Sequence, residues 1–225
     1  SCHEHNETQK SVQLIAALKA GKTIALISDA GTPLISDPGY ALVRAAAEQQ
    51  LPIVPIPGCN AAIAGLSVAG LPTDSFVFCG FLPKKQQKRS LALEDLKQEK
   101  ATLIFYESPK RICAMIEQAI PILGDRKACL AREITKLHEE YLRGTLGEIL
   151  STLELRSQVK GECVLFVQGA APPPPLSPER LEELILSKEN QNKKTADLAR
   201  QIARACHLPK KQVYDTILKL RTTLS

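Results

Sequence analysis

Thr23-Ile24-Ala25-Leu26-Ile27-Ser28-Asp29-Ala30-Gly31-Thr32-Pro33-Leu34-Ile35-Ser36-Asp37-Pro38-Gly39 is the stretch whose reading decides the fold. Its first five residues form a continuous apolar run, the pattern of a strand buried on both faces. Small, turn-forming and carboxylate residues follow at once. In an open α/β sheet, the carboxyl ends of the strands are where ligands bind. Asp37 is placed to N-cap the next helix, and Pro38 suits its first turn. Gly31 and Gly39 allow the backbone to come close to a ligand. An ordinary strand–turn–helix connection is the alternative, because Asp, Gly and Pro are common turn residues. Two Asp-containing turns at one strand end favour a ligand loop.

Working outward, a helix is expected before this stretch, from Asn6 to about Ala20, with Leu14, Ile15 and Leu18 as its apolar stripe and Gly21 as its stop. After it come a helix from Pro38 to about Gln49, a strand at Ile53–Ile56, and an alanine-rich helix at about Ala61–Ala69. This β-α-β-α order predicts a parallel sheet covered on both faces. Gly70-Leu71-Pro72-Thr73-Asp74 breaks the pattern, so a first α/β domain is assigned to 1–72 and a second to 73–170. The second is read as strands at 76–81, 102–106, 127–132, 139–142 and 163–167, with helices near 90–98, from Ser108-Pro109 onward, and 146–155. Pro121 is expected to kink or end its helix early. The short 132–139 connection predicts a hairpin and hence a mixed sheet. Four successive prolines make 171–176 a stiff linker. Residues 177–225 are read as a helical domain in which Thr195–Cys206 and Lys210–Leu220 take a helix-turn-helix form, packed through Leu198, Ile202, Val213, Ile217 and Leu220.

The chain has 225 residues, 44% hydrophobic and 24% charged, in the range of globular domains. No apolar run approaches the roughly 20 residues of a membrane span. The seven cysteines are scattered without a C-x-x-C pair, which fits a reducing, cytoplasmic setting and argues against a cysteine-based metal site. Residues 176–225 hold ten Lys and Arg against six Asp and Glu, so most of the net +5 lies there. A second basic cluster is Lys84-Lys85-Gln86-Gln87-Lys88-Arg89. Two such zones make a polyanionic partner plausible, with solvated faces as the alternative.

Three further places carry chemistry-capable side chains: His3-Glu4-His5-Asn6-Glu7, Tyr106-Glu107-Ser108 and Ala131-Arg132-Glu133. His3 and His5 share a face of an extended strand, but nothing in the sequence completes a metal site, and no metal is expected. Phosphate-cradling glycine loops and a serine nucleophile elbow are absent. Arg132 could grip a phosphate and Glu133 could take a proton from a hydroxyl; a structural Arg132–Glu133 ion pair is equally open.

Together, Ser28–Gly39, Pro55-Ile56-Pro57-Gly58, Phe105-Tyr106-Glu107-Ser108, Ala131-Arg132-Glu133, Lys160-Gly161-Glu162 and His3–Glu7 resemble the ribosomal RNA small-subunit methyltransferase I family of the tetrapyrrole-methylase-like superfamily. The resemblance covers the whole chain. It implies a two-domain, class III methyltransferase α/β fold with a small C-terminal helix-turn-helix-like domain. It implies S-adenosyl-L-methionine as cofactor and 2′-O-methylation of a cytidine ribose in 16S rRNA of the small ribosomal subunit. A homodimer is implied too, with no membrane or metal partner.

By motif position, Asp29, Ala30, Gly31, Thr32 and Asp37 are expected at the cofactor, with Asn60, Ala61 and Tyr106. Glu133 or Glu107 is expected to accept the hydroxyl proton while Arg132 holds a phosphate. His3, Asn6, Lys84, Lys85, Lys88 and Arg89, with the C-terminal domain, are expected to meet RNA. Tetrapyrrole enzymes carry Gly-Asp-Pro where this chain has Gly31-Thr32-Pro33, which argues against a tetrapyrrole substrate. The family's first strand, its glycine turn and the acidic segment after it would lie before His3, so the chain reads as a fragment. A small-molecule methyltransferase and a non-catalytic RNA-binding protein remain the alternatives.

Overall fold

Strands alternate their side chains between faces, and this chain uses that rule to build one sheet with two apolar sides. The computed structural model describes residues 6–171, 177–189, 195–206 and 208–224. In order, the elements are α1 (Glu7–Lys19), α2 (Tyr40–Glu48), α3 (Ala61–Ala69), β1 (Phe76–Phe81), α4 (Gln86–Asp95), β2 (Thr102–Glu107) and α5 (Ile112–Leu123). They continue with β3 (Lys127–Arg132), β4 (Glu140–Thr145), α6 (Leu146–Glu154), β5 (Cys163–Val167), α7 (Pro178–Glu189), α8 (Thr195–Cys206) and α9 (Lys210–Leu224). The chain separates into two compact units, Ser1–Ala170 and Ala171–Ser225, and the boundary expected at 72/73 falls inside the first.

The sheet order is β1-β2-β5-β3-β4. Among hydrogen-bonded neighbours in this sheet, β1–β2 is the parallel pair; β5 runs antiparallel to both β2 and β3, and β3–β4 is the expected hairpin. Every residue of β5 is buried. Leu103 and Phe105 of β2, Leu130 of β3 and Leu165 and Val167 of β5 face α4, α5 and α6. Their neighbours Ile104, Cys129, Ala131, Val164 and Phe166 face α3. Gly65 of α3 sits so close to β5 that a Cβ there would fall 2.5 Å from Phe166 Cζ.

Several boundaries differ from expectation for identifiable reasons. Residues 86–89 are the first turn of α4 rather than loop. Pro121 lies within α5, which runs on to Leu123. A proline two residues from a helix end removes one hydrogen bond, and buried Ile116, Ala119 and Leu123 hold the segment in place.

The larger departure concerns 23–28 and 53–56, both expected as strands. Among the described residues neither forms a ladder. Ile27 is 84% exposed, Val54 76% and Ile56 82%. An apolar extended segment becomes a strand only when a neighbour supplies the paired backbone groups, and parallel strands also need cover on both faces. So 6–75 contributes helices and extended chain, with α1 packed on α2 through Ile15, Leu42 and Ala46.

In the second unit, Leu198, Ile202, Val213 and Ile217 are buried together with Leu181 and Ile185, and Leu220 packs at the edge. This is the packing expected from their spacing. Of the proline linker, all but Ala171 lies outside the described residues.

The tight Gly65–Phe166 contact yields a stability prediction. Gly65→Ala should destabilise the first unit by about 1–3 kcal/mol through overpacking, despite alanine's better helix propensity. Denaturant melting checks it; an unchanged or raised midpoint would contradict the packing described.

Candidate active site

Because β5 is antiparallel to β2 and β3, its first residue meets their last ones: Cys163 pairs with Glu107 on one side and Arg132 on the other. A cavity of about 350 Å³ opens at this end of the sheet. Its walls are Ala30–Thr32 and Ile35–Asp37 of the loop before α2, Asn60 and Ala61 at the start of α3, Phe81 at the end of β1, Tyr106–Pro109 at and beyond the end of β2, and Gly161–Val164.

The loop is shaped by local bonds. Thr32 Oγ1 donates to Cys59 O at 3.0 Å and Ile35 N to Thr32 O at 3.3 Å, tying 30–37 to the segment before α3. Leu34 and Ser36 take positive φ, as does Gly31. Gly39, at φ 134°, is a position where a Cβ would lie 2.7 Å from Leu26 Cδ2.

The helix after the loop is capped from an unexpected source. Asp37 was the expected N-cap of α2, yet Gly39 holds that position and makes no side-chain cap. Glu7 of α1 supplies the acceptor: its Oε1 receives Gly39 N at 2.9 Å and Ala41 N at 2.6 Å. Asp37 turns to the cavity instead. A carboxylate at a helix N-terminus satisfies open backbone donors and complements the dipole.

Asn60 caps α3, its Oδ1 accepting from Ala62 N at 3.0 Å and Ile63 N at 3.2 Å. The Tyr106 hydroxyl shares Ala62 N at 3.2 Å, and its ring meets Phe78 and Phe81 edge-on with centroids 5.0 and 5.7 Å apart. Burial raises the Tyr106 pKa above that of a free phenol, so the hydroxyl keeps its proton at neutral pH. Burial likewise pushes the Cys163 thiol up to about 11, so it holds its proton too and is no nucleophile there.

Glu107 is 2% exposed. Its Oε1 accepts from Ser108 N at 2.7 Å, and Arg111 Nη2 stands 2.9 Å from its Oε2 as an ion pair. That contact lacks hydrogen-bond geometry, so Oε2 and Arg111 Nε are buried polar atoms without a hydrogen bond among the described residues. Arg111 spends Nη2 on Leu82 O, at 2.8 Å. The wall carries Asp37, Glu107 and Glu162 but no lysine, arginine or histidine. Such a cavity favours a cationic ligand and disfavours a polyphosphate.

The remaining expected residues lie elsewhere. Asp29 is exposed and not on the wall. Arg132 and Glu133 do not pair with each other and do not line the cavity. Arg132 Nε donates to Glu140 at 3.0 Å and Nη1 to Lys160 O at 3.1 Å. Glu133 Oε1 accepts from Glu162 N at 2.8 Å and from Lys136 Nζ at 3.0 Å. Lys84, Lys85 and Lys88 are exposed, whereas Arg89 is buried, with its Nε on Gln118 at 2.6 Å. Asn6 is the N-cap residue of α1, and His3 lies outside the described residues.

Phe81, Ser108, Pro109 and Gly161–Val164 were not assigned to the site from sequence. The Lys160-Gly161-Glu162 motif was the one available signal for the last group.

The fold is the α/β fold of class III methyltransferases. The model of the family "Tetrapyrrole (Corrin/Porphyrin) Methylases" matches residues 1–150. A Halalkalibacterium halodurans protein named ribosomal RNA small subunit methyltransferase I is 50% identical over 75% of this chain and 58% of its own length. A Synechocystis protein of the same name is 42% identical over 98% of this chain and 80% of its own. Among solved structures, the methyltransferase CobJ aligns with a TM-score of 0.55 at 18% identity, covering 73% of this chain and 72% of that one. The chain belongs to the tetrapyrrole methylase family and, within it, to the group named ribosomal RNA small subunit methyltransferase I. It spans little more than half the length of the Halalkalibacterium relative.

The ion-pair chain beside the cavity has an acid signature. Hydrogen bonds from Arg156 first, then Arg132, lower the Glu140 pKa from 4.5 to about 2. A depressed carboxylate stabilises the folded state fully above its unfolded pKa and loses that effect as pH falls through the folded one. The stability difference between the parent chain and Glu140→Gln should therefore be constant above about pH 5 and shrink toward pH 2. Urea melts across that range test it; a difference independent of pH would contradict the pairing.

Proposed function

We propose that this chain binds S-adenosyl-L-methionine and transfers its methyl group to the ribose 2′-hydroxyl of a cytidine in 16S rRNA of the small ribosomal subunit. The observation that carries the reading is the acidic cavity at the joined ends of β2, β3 and β5, in a chain of this family. Its chemistry fits the cofactor: three carboxylates for a sulfonium and an ammonium, an aromatic edge, and backbone at Gly31 with no side chain in the way. Asp37, Asn60, Ala61, Tyr106 and the 30–32 backbone would hold it, with Asp29 assigned to the same loop by its place in the motif.

When bound, the cofactor supplies an electrophilic methyl on a positively charged sulfur. The protein must then align a hydroxyl with that carbon, exclude water, and take up the hydroxyl proton. Of the wall carboxylates, Glu107 is buried and has an oxygen with no hydrogen bond among the described residues. We assign proton acceptance to Glu107, with Arg111 holding the carboxylate in place. Glu133 is less suited, since its carboxylate already receives two donors.

The RNA contacts are assigned to exposed Lys84, Lys85 and Lys88, to His3 and Asn6, and to the C-terminal residues 177–225. Residues 1–72 and 73–170 are read as the two sides of the cofactor cleft and 171–176 as a tether. A homodimer in the cytoplasm completes the reading.

Two measurements test it. In single-turnover assays on small ribosomal subunits at saturating cofactor, Glu107→Gln should lose methyl transfer by about a hundredfold or more, a loss larger than any weakening of cofactor binding from removing one wall carboxylate; full activity would remove Glu107 from the chemistry. RNA affinity should fall with salt, and replacing Lys84, Lys85 and Lys88 by alanine should lower the log–log salt slope by about two. An unchanged slope would move the RNA surface elsewhere.

A further inference from the structure

Arg132, the last residue of β3, and Glu133, the next in sequence, take hold of opposite sides of one turn in the cavity wall. Arg132 Nη1 donates to Lys160 O at 3.1 Å. Glu133 and Glu162 are joined twice: Glu133 N donates to Glu162 O at 3.0 Å, and Glu162 N donates to Glu133 Oε1 at 2.8 Å. Between these holds lies Gly161, at φ +89°, where a Cβ would overlap the Glu133 side chain.

Both grips are backed from behind. Glu140 holds Arg132 and is itself held by Arg156 through two bonds of 2.8 and 2.6 Å. Lys136 Nζ bridges Glu133 Oε1 at 3.0 Å and Glu162 Oε2 at 3.1 Å. Glu133 adopts φ 53°, a conformation that a non-glycine residue keeps only when its surroundings demand it. Here the reciprocal pair with Glu162 makes that demand. Gly161 and Glu162 are cavity wall, whereas Glu133 and Lys136 are not.

We infer that Glu133, braced by Lys136, is a positioning residue that fixes the Gly161–Glu162 wall of the cavity and thereby sets its affinity for the cationic cofactor. The affinity half of this inference rests on the methyltransferase reading; the clamp itself does not. The Glu162 N–H first, and the Lys136 ammonium second, hold the Glu133 carboxyl below the usual carboxylate range. It is therefore charged at neutral pH, as a clamp requires.

The test uses Glu133→Ala, Glu133→Gln and Lys136→Met in the full chain, with three readouts: amide hydrogen exchange of 160–163 without cofactor, S-adenosylmethionine affinity by calorimetry, and transfer rate at saturating cofactor. Glutamine keeps an oxygen for Glu162 N, so Glu133→Gln should stay close to the parent in exchange and affinity. Glu133→Ala should speed exchange at Glu162 and weaken the cofactor about tenfold, with the saturated rate little changed. Lys136→Met, at the more exposed partner, should move both in the same direction by less; this serves if the alanine variant fails to fold. Equal loss of transfer in Glu133→Gln and Glu133→Ala, with exchange and affinity intact, would make Glu133 the proton acceptor and overturn the inference. Unchanged exchange at Glu162 in Glu133→Ala and in Lys136→Met would overturn it as well. If the parent chain binds no cofactor, the methyltransferase reading fails while exchange still judges the clamp.

Discussion

The antiparallel placement of β5 between β2 and β3 is the constraint on which the rest depends. A parallel strand in that position would send Cys163 to the far end of the sheet. Running antiparallel, it brings its start against the ends of both neighbours, with Cys163 across from Glu107 and from Arg132. One hydrophobic strand, buried along its whole length, thus gathers side chains from 107, 132 and 163 that are far apart in sequence. The helices serve the same arrangement. α5 and α6 cover one face, and α3 presses its Gly65 onto Phe166 on the other, which aims the α3 N-terminus at the cavity.

Charge is distributed around that point in a consistent way. The cavity wall has carboxylates without a neighbouring cation on the wall itself, while the arginines that approach it are turned away and occupied. Arg111 serves Glu107 and Leu82 O, Arg132 serves Glu140 and Lys160 O, and Arg156 serves Glu140. Bidentate or multiply bonded guanidinium groups make stiff supports, because their planar donor set fixes direction as well as distance. A cluster of positive charge open to a polyanion sits on Lys84 and Lys85, just before α4, and Lys88 in its first turn.

Much of this was legible from sequence where one local rule sufficed. Strands 76–81, 127–132 and 163–167 and the three C-terminal helices follow from apolar periodicity, and Tyr106-Glu107 was placed at a strand end for the same reason. That residues 30–37 form a loop at a cavity was legible because turn residues and carboxylates follow an apolar run. What failed were features that depend on partners. Thr23–Ser28 and Ile53–Ile56 have the composition of strands, but a strand exists only as a pairing and these segments have none among the described residues. Arg89 reads as part of a basic cluster, yet α4 rotates it inward onto Gln118. Glu7 was unreadable as the cap of α2, because cap and helix lie 32 positions apart. Arg132-Glu133 invited pairing by adjacency, whereas Arg132 ends β3 and Glu133 leaves the strand at φ 53°, so the two find separate partners.

The central claim is that an acidic pocket built by β5's direction accepts a cationic nucleoside cofactor. Calorimetric titration of the chain with S-adenosylmethionine, beside ATP as an anionic nucleoside of similar size, tests it most directly. The account predicts one site for S-adenosylmethionine, weakened by Gly31→Val, and no detectable heat from ATP. Tighter binding of ATP, or S-adenosylmethionine binding that Gly31→Val leaves untouched, would contradict it.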